Sequence, residues 1–227
     1  MPIRNALAAQ IREEIVYGLN LLLSEDLVID ANNVVIVEAG GRINICWATD
    51  PQLSYLYGDF ATLDHYRAIL LNRDYNILLA DGSLVQLAYQ IQGDEIVRHR
   101  LCYFPCPLFV ESQEIVEYGL NDLIDLFRID EFQSRFRLVS PIRFDFDADF
   151  LDDYHHYSHV TAIKNTCRIP AFGPLSVGHF LRFVLSYFYQ SYFSNDEDFD
   201  ELQAKFYSRT LFTPPGHELF FETSVRA

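Results

Sequence analysis

The stretch that decides the fold runs over residues 75–104 and reads YNILLADGSLVQLAYQIQGDEIVRHRLCYF. It contains three apolar runs, separated by the dipeptides Asp81-Gly82 and Gly93-Asp94. Both dipeptides are typical of tight turns between strands. The stretch therefore predicts an antiparallel meander of three strands. The predicted strands are Tyr75–Leu79, Ser83–Gln92 and Glu95–Phe104.

Helices are predicted on both sides of this meander, where apolar residues recur at steps of three and four. They cover residues 2–24, 60–72, 113–127 and 174–193. A hairpin is predicted between the first two helices, because Val34–Glu38 and Arg42–Trp47 flank the turn dipeptide Gly40-Gly41. Together these elements predict an α+β fold, in which an antiparallel meander sheet packs against several helices.

The chain is predicted to form a single α+β domain over residues 1–227, because no repeat, low-complexity tract or flexible linker interrupts it. Half of its residues are hydrophobic, which at this length is enough to bury a core without disulfides or a structural metal. Residues 195–227 are expected to form a peripheral C-terminal extension. The four cysteines lack paired C-x-x-C spacing and are expected to be buried free thiols.

The chain is strongly acidic, with 32 Asp and Glu against 17 Lys and Arg and a formal net charge of −15. Binding to duplex nucleic acid is disfavoured, except through a local arginine-lined pocket, because it needs a basic face that releases counterions from phosphates. Docking on an anionic membrane is disfavoured for the same electrostatic reason. The partners that fit this charge are another protein or a second copy of the chain.

The apolar segments are short and interrupted by charge. No stretch of about 20 apolar residues occurs, so no membrane-spanning segment is expected. The N-terminal residues enter an amphipathic pattern with Glu13 and Glu14, and they lack the uninterrupted apolar run of a signal peptide. A cytoplasmic location is therefore expected.

Residues 143–159, RFDFDADFLDDYHHYSH, carry the candidate chemical site. The region 137–146 reads as extended, although Pro141 favours an edge or a bend at that point. On a strand, Arg143, Asp145 and Asp147 share one face, with the intervening phenylalanines on the core side. Two carboxylates so placed repel each other unless a cation or Arg143 lies between them.

Three histidines follow within five residues: His155, His156 and His159. On a helical turn, either of the first two shares a face with His159, as two imidazole ligands of one metal require. A strand fits these residues equally well, and a histidine at a turn often only bonds the backbone. The candidate ligands of a divalent metal ion are Asp145, Asp147, His155 and His159. The candidate catalytic residues are Asp145, His155, His159 and Arg168.

Basic side chains nearby give the cluster a second interpretation. Arg98 and Arg100 share one face of the third meander strand, either exposed or paired with acidic neighbours. Arg168 and Arg182 are candidate anion partners, and Arg182 follows His179 by three residues on the last predicted helix. A short hairpin over residues 160–169 would carry Arg168. An internal ion-pair network and a phosphate-binding pocket both satisfy the pattern, and the sequence does not separate them.

Four runs in this region carry a family resemblance. They are Arg143-Phe144-Asp145, then His155-His156-Tyr157-Ser158-His159-Val160-Thr161, then Cys167-Arg168-Ile169-Pro170, and a helix that follows Pro174 and ends in Phe188-Tyr189. Together they resemble an uncharacterised bacterial family, domain of unknown function 2290. The resemblance supplies no activity; it implies a bacterial protein with a role in anti-phage defence. It directs attention to His155, His159, Arg168 and Pro170, whereas His156 departs from the family's pattern.

Two functions follow from these features. The first is a metal-dependent phosphoester or nucleotide hydrolase of a defence-type system, in which the metal lowers the pKa of a bound water and Arg168 neutralises the developing phosphate charge. The alternative is a non-catalytic acidic adaptor or inhibitor subunit that binds a protein partner. The clustered ligand types favour the hydrolase, and the net charge of −15 favours the adaptor.

Overall fold

A computed structural model of the protein describes residues 5–47, 63–127, 134–149, 157–162, 167–171 and 173–191. Its helices in these ranges are α1 (Ala6–Ser24), α2 (Leu63–Asn72), α3 (Ser112–Tyr118), α4 (Leu120–Phe127) and α5 (Val177–Phe188). N-cap side chains accept backbone hydrogen bonds at two helix starts, Asn5 from Ala8 N in α1 and Ser176 from His179 N in α5. The predicted C-terminal extension lies outside the described residues.

The described strands form one sheet in which every pairing is antiparallel. They are β1 (Val28–Ala31), β2 (Val35–Ala39), β3 (Arg42–Cys46), β4 (Ile77–Leu79), β5 (Leu84–Gln92), β6 (Glu95–Phe104), β7 (Ile142–Asp147), β8 (Ser158–Ala162) and β9 (Arg168–Pro170). Their order is β1-β4-β5-β6-β7-β8-β9, and the β2–β3 hairpin joins the sheet through β5. This architecture confirms the predicted α+β fold and its meander.

The two faces of the sheet differ in chemistry, because successive side chains of a strand alternate between them. Phe144 and Phe146 of β7 lie on the apolar face, in one core with side chains of α1 and α5. The ring of Phe144 meets Phe180 and Phe183 of α5 edge-on, at centroid distances of 5.8 and 5.2 Å. Asp145, between the two phenylalanines, projects to the opposite side. The part of that side on β6 to β9 that carries charged and polar residues is called the polar face: Arg98, Arg100, Arg143, Asp145, Asp147, His159, Thr161 and Arg168.

A second apolar cluster lies where β4, β5 and β6 meet α2, α3 and α4. Leu84 and Phe104 are directly paired strand residues of this cluster, and both are buried. Tyr66 of α2 is also buried there, and its hydroxyl donates a hydrogen bond to the carbonyl of Gly82. The helix thereby fixes the turn between β4 and β5.

The structure differs from the predicted elements in several places. Strand β1 was not predicted, α1 and β4 begin at Ala6 and Ile77 rather than at residues 2 and 75, and three further boundaries differ. The helix expected over residues 113–127 is two helices, because Gly119 takes a φ of 78° between them. The last helix ends at Phe188 rather than at 193. The region 137–146, predicted to be extended, is a strand only from Ile142, directly after Pro141, which has no N–H to give to a ladder.

The predicted hairpins form, and the cysteines are free thiols as predicted, although Cys167 is only partly buried. The β2–β3 pair forms over Val35–Ala39 and Arg42–Cys46, and the short β8–β9 pair is antiparallel as expected. All four cysteines are free thiols, and three of them are buried. The buried thiols are Cys46, Cys102 and Cys106.

Candidate functional site

The candidate site is a set of polar side chains that the strand register brings together on the polar face. In one row, Arg100, Asp145 and His159 are directly opposite one another on β6, β7 and β8. Side chains of directly opposite residues in antiparallel strands project to the same side. The next row runs from Cys102 through Arg143 and Thr161 to Arg168, and a third pairs Arg98 with Asp147.

Asp145 is the centre of this arrangement. Its Oδ1 lies 2.9 Å from Nε of Arg100, and its Oδ2 lies 2.5 Å from Nε of Arg143. Burial raises the pKa of this carboxyl, but the two arginines outweigh burial and lower the pKa to about 2. Asp145 is therefore a fixed negative charge that orients two guanidinium groups.

The charge of these three groups favours an anion as the ligand. Two guanidinium groups face one carboxylate, and the side chain of Arg143 is almost fully buried. Burial lowers the pKa of Arg143, although the charge of Asp145 acts in the opposite direction. Arginine is the residue best suited to paired hydrogen bonds with carboxylate or phosphate oxygens.

His159 completes the row. Its Nε2 lies 3.6 Å from Oδ2 of Asp145, and its side chain is buried. The sequence allowed either a helical turn or a strand at His159, and the structure shows a strand. His159 therefore does not share a helical face with an upstream histidine. His155 and His156 lie outside the described residues. At 3.6 Å this contact is longer than a hydrogen bond, so Asp145 acts on the imidazole of His159 through its charge.

Thr161 is the site residue that the sequence analysis missed. It lies on β8 between Arg143 and Arg168 in the row, and its side chain is 0 % exposed. Its Oγ1 makes no hydrogen bond with any residue that the structure describes. A buried hydroxyl without a partner is costly and uncommon in native structures. The available signal was its position two residues after His159, which places both side chains on one face of a strand.

Each acidic residue of the stretch that the structure describes, Asp145, Asp147 and Asp149, has a basic partner. Asp147 lies 3.1 Å from Arg98, and Asp149 lies 2.6 Å from Arg42. Arg98 and Arg100 are therefore paired with acidic neighbours, the second of the two outcomes left open by the sequence. Asp145 and Asp147 share a face as predicted, and their mutual repulsion is offset by separate arginines rather than by one shared cation.

The predicted metal centre is tested only in part by this geometry. No group of three His, Cys, Asp or Glu side chains within the described ranges is placed to hold a metal ion. Guanidinium groups occupy the carboxylate oxygens of Asp145 and Asp147 and would repel a cation there. Since His155 lies outside the described residues, the ligand set Asp145, Asp147, His155 and His159 stays a prediction.

The two candidate anion partners lie in different places. Arg168 is exposed on β9 and belongs to the row of Thr161. Arg182 is on α5, which packs against Phe144 on the apolar face. At the start of that helix, Ser176 Oγ lies 2.8 Å from Nδ1 of His179. The helix that carries His179 and Arg182 is thus separated from the Asp145 carboxylate by the sheet.

Comparison with known proteins gives one assignment. No curated protein and no solved structure matches the chain. Within the described part of the chain, no helix has the length and apolar character needed to span a membrane. A family model described as "Uncharacterized conserved protein (DUF2290)" matches residues 27–223, a range that contains every residue of the polar face described above. The chain therefore belongs to the uncharacterised conserved family DUF2290.

Proposed function

We propose that the chain binds a phosphoester, of the kind found in nucleotides, on the polar face at β7–β9 and hydrolyses it. The observation that carries this proposal is the hydroxyl of Thr161, which is buried without a hydrogen-bond partner among the described residues, in a row between two arginines. A hydroxyl donor beside guanidinium groups matches the oxygens of a phosphate group.

The row of Arg143, Thr161 and Arg168 supplies the phosphate-binding groups. Asp145 fixes the guanidinium of Arg143, so little side-chain entropy is lost when a ligand binds. Arg168 is exposed at the edge strand, where it can meet an entering anion. Arg168 places a positive charge at this edge strand. Because its attraction for a phosphate acts locally, phosphate binding is compatible with a net charge of −15 for the whole chain.

His159 is the proposed proton-transfer group, with Asp145 as its positioning residue. A water molecule attacks phosphorus and loses a proton to the imidazole, while the bond from phosphorus to the leaving oxygen breaks. The imidazolium then returns its proton to the leaving oxygen, so that the alcohol and the phosphate are the products. Arg143 and Arg168 stabilise the negative charge that develops on the phosphate oxygens.

A metal-assisted form of this reaction stays within the proposal. A divalent ion held by Asp145, Asp147, His155 and His159 would have to displace the arginines that contact the two carboxylates, and it would then lower the pKa of a bound water. Metal analysis of the purified protein, with thermal shifts on adding zinc, manganese or magnesium, tests this form. No bound metal and no shift would restrict the proposal to the metal-free reaction.

The binding test uses calorimetric titration of the full chain with inorganic phosphate and a nucleoside monophosphate. Thr161→Val keeps the shape of the side chain and removes only the hydroxyl. We expect it to weaken phosphate binding by about 10- to 100-fold, the cost of about 1.5–3 kcal/mol for a lost hydrogen bond to a charged group. Because the hydroxyl has no hydrogen-bond partner among the described residues, unfolding stability should stay equal or rise slightly.

Arg168→Gln and Arg12→Gln form a matched pair for the same titration. Both remove one exposed arginine, but Arg12 lies on α1, away from the site. Weaker phosphate binding in Arg168→Gln alone supports the proposed row. Unchanged binding in both Arg168→Gln and Thr161→Val would contradict it.

The catalytic test is hydrolysis of p-nitrophenyl phosphate and bis(p-nitrophenyl) phosphate. We expect His159→Asn to reduce the rate by about 100- to 10,000-fold, the usual contribution of general acid–base catalysis. Arg12→Gln should keep the wild-type rate. A wild-type rate in His159→Asn, or no hydrolysis of either ester by the wild-type protein, would reject this assignment of catalysis.

The non-catalytic adaptor is the second candidate, and the surface of α3 and α4 favours it. Val116, Tyr118 and Leu126 expose 73, 55 and 45 % of their surface, on helices that also carry Glu117 and Asp122. Exposed apolar groups among acidic side chains suit a basic protein partner. Affinity purification with Val116→Asp as the control tests this: a partner lost in the variant supports an adaptor, and no recovered partner opposes it.

A role in bacterial anti-phage defence rests on the family resemblance. We expect cells that carry the natural gene with its neighbours to reduce phage plaque formation, and the His159→Asn variant to lose that effect. Equal plaque numbers with and without the gene would contradict the proposed role.

A further inference from the structure

A cavity of about 300 Å³ lies between the start of α2, the end of β6 and residues 136–141, and it shares no lining residue with the polar face. Its volume is at the lower end of the range for small-molecule pockets, about 300–1,000 Å³, and it suits a ligand of one or two rings. The residues that determine its chemistry are His65, Phe104, Pro105, Pro107, Arg137 and Leu138. Neither the family assignment nor the proposed hydrolysis gives this cavity a role.

Flat, rigid groups form its walls. The rings of His65 and Phe104 are stacked, with centroids 6.3 Å apart and planes inclined by 19°. Pro105 and Pro107 add further apolar surface with a restricted backbone. Burial lowers the pKa of His65, which favours the neutral form of this ring. Such walls favour a planar aromatic ligand, because ring faces stack with little loss of conformational freedom.

Arg137 provides the single charged side chain among the lining residues, all of which the structure describes. Its Nε donates to the carbonyl oxygen of Cys106 at 2.6 Å, and its guanidinium lies 5.2 Å from the ring centroid of Phe109. These contacts hold the guanidinium plane in place, so its terminal N–H groups are preorganised for an acidic group of a ligand.

The mouth of the cavity is apolar. Leu138 lines the cavity, and its side chain is fully exposed, at 105 % of the reference value. A bound ring that covers this side chain removes apolar surface from water, which adds a favourable contribution to binding. An aromatic ligand therefore satisfies the walls and the mouth, and its acidic substituent satisfies Arg137.

We propose that this cavity binds a small planar aromatic acid, with its ring on the surface formed by His65, Phe104 and the prolines and its acidic group on Arg137. The ligand class is an aromatic carboxylate of one or two rings. This site shares no residue with the phosphoester site and does not depend on the proposed function.

The test is calorimetric titration of the full chain with 2-naphthoate and its neutral counterpart, 2-naphthamide. We expect 2-naphthoate to bind with one molecule per chain. Arg137→Gln should weaken that binding by about tenfold or more, as expected for loss of a charge-assisted hydrogen bond, while the affinity for 2-naphthamide stays unchanged. The control Arg12→Gln, which removes an exposed charge that does not line the cavity, should bind both compounds like the wild type.

Val139→Trp is the second variant, because Val139 lines the cavity and the larger ring fills it. It should abolish binding of both compounds, and Thr161→Val should affect neither. The proposal is overturned if 2-naphthoate does not bind at millimolar concentration, if Val139→Trp binds like the wild type, or if a folded Arg137→Gln keeps its affinity for 2-naphthoate.

Discussion

Nε of Arg143 lies 2.5 Å from Oδ2 of Asp145, two positions along the same strand, and both side chains are buried. Arg100, on the neighbouring strand, contacts the other carboxylate oxygen. The carboxylate thereby joins β6 to β7 on the polar face. Ion pairs away from water are strong as long as every charge keeps its partner. Removal of one partner leaves a buried charge without compensation.

Asp145→Asn should therefore destabilise the fold strongly. The variant keeps the shape of the side chain but leaves Arg100 and Arg143 without their shared negative charge. We expect the free energy of unfolding to fall by about 3–5 kcal/mol, the usual cost of breaking a buried pair from one side. Urea denaturation followed by circular dichroism measures this value.

Asp149→Asn is the matched control. Asp149 pairs with Arg42 at 2.6 Å, but 61 and 33 % of the two side chains are exposed. Exposed pairs contribute about 1 kcal/mol or less because water and salt screen them. Equal losses of stability in the two variants would show that burial of Asp145 does not strengthen its contacts.

Acid should weaken the fold at low pH through Asp145. The two arginines hold its pKa at about 2 in the folded chain, against 3.8 for an ordinary aspartate. Between these values the unfolded chain binds the extra proton, so stability is present above about pH 4 and is lost as pH falls through about 2. The contribution is about 2 kcal/mol. Urea titrations at low pH should show this slope in the wild type and not in Asp145→Asn.

His99 should produce a second pH dependence in a higher range. Its Nε2 accepts the N–H of Leu175 at 2.8 Å, and its ring lies near Tyr89 and Phe146 on the apolar face. Burial lowers the pKa of His99 to about 4, although the charge of Asp145 opposes this shift. Stability is therefore complete above about pH 6.5 and falls as pH drops towards 4, because only the unfolded chain takes up the proton.

His99→Gln keeps an acceptor for the Leu175 N–H and removes the titration. We expect its stability to change less than that of the wild type between pH 7 and about 4.5, measured by urea midpoints. His65→Gln is the control, because burial also lowers the pKa of His65. A His99→Gln profile that follows the wild type over this range would place the titrating group elsewhere.

Local patterns were sufficient to predict the central part of the fold. The turn dipeptides Asp81-Gly82 and Gly93-Asp94 define β4, β5 and β6, and their pairing follows from the short connections. The pairings of β1 with β4 and of β3 with β5 join segments far apart in the chain. No local pattern encodes such contacts, because they depend on which apolar faces bury each other.

The candidate site was predictable to the same extent. Alternation along β7 correctly placed Asp145 and Asp147 on one face. The contact between Asp145 and Arg100 required the register of β6 with β7, and the position of Thr161 required the register of β8. The periodicity of α5 does not indicate on which side of the sheet this helix packs. Arg182 was therefore proposed as an anion partner, although its helix lies on the apolar face, across the sheet from Asp145.

Gly82→Ala should destabilise the turn between β4 and β5. Gly82 has a φ of 82°, and a Cβ at this position would lie 2.8 Å from Sγ of Cys106. The backbone conformation alone costs an L-residue about 1–2 kcal/mol, and overpacking adds about 1–3 kcal/mol. We expect a total loss of about 3 kcal/mol in the free energy of unfolding, measured by urea denaturation.

Gly93→Ala separates these two contributions. Gly93 also has a positive φ, of 60°, but no atom lies within 4 Å of an added Cβ, so its loss should be only about 1–2 kcal/mol. A double-mutant cycle between Gly82→Ala and Cys106→Ala then measures the contact with sulfur, since removal of Sγ relieves the overlap. A favourable coupling in the cycle is expected, because the strain lies between these two side chains. Equal losses in Gly82→Ala and Gly93→Ala, with no coupling, would mean that only the backbone conformation limits this turn.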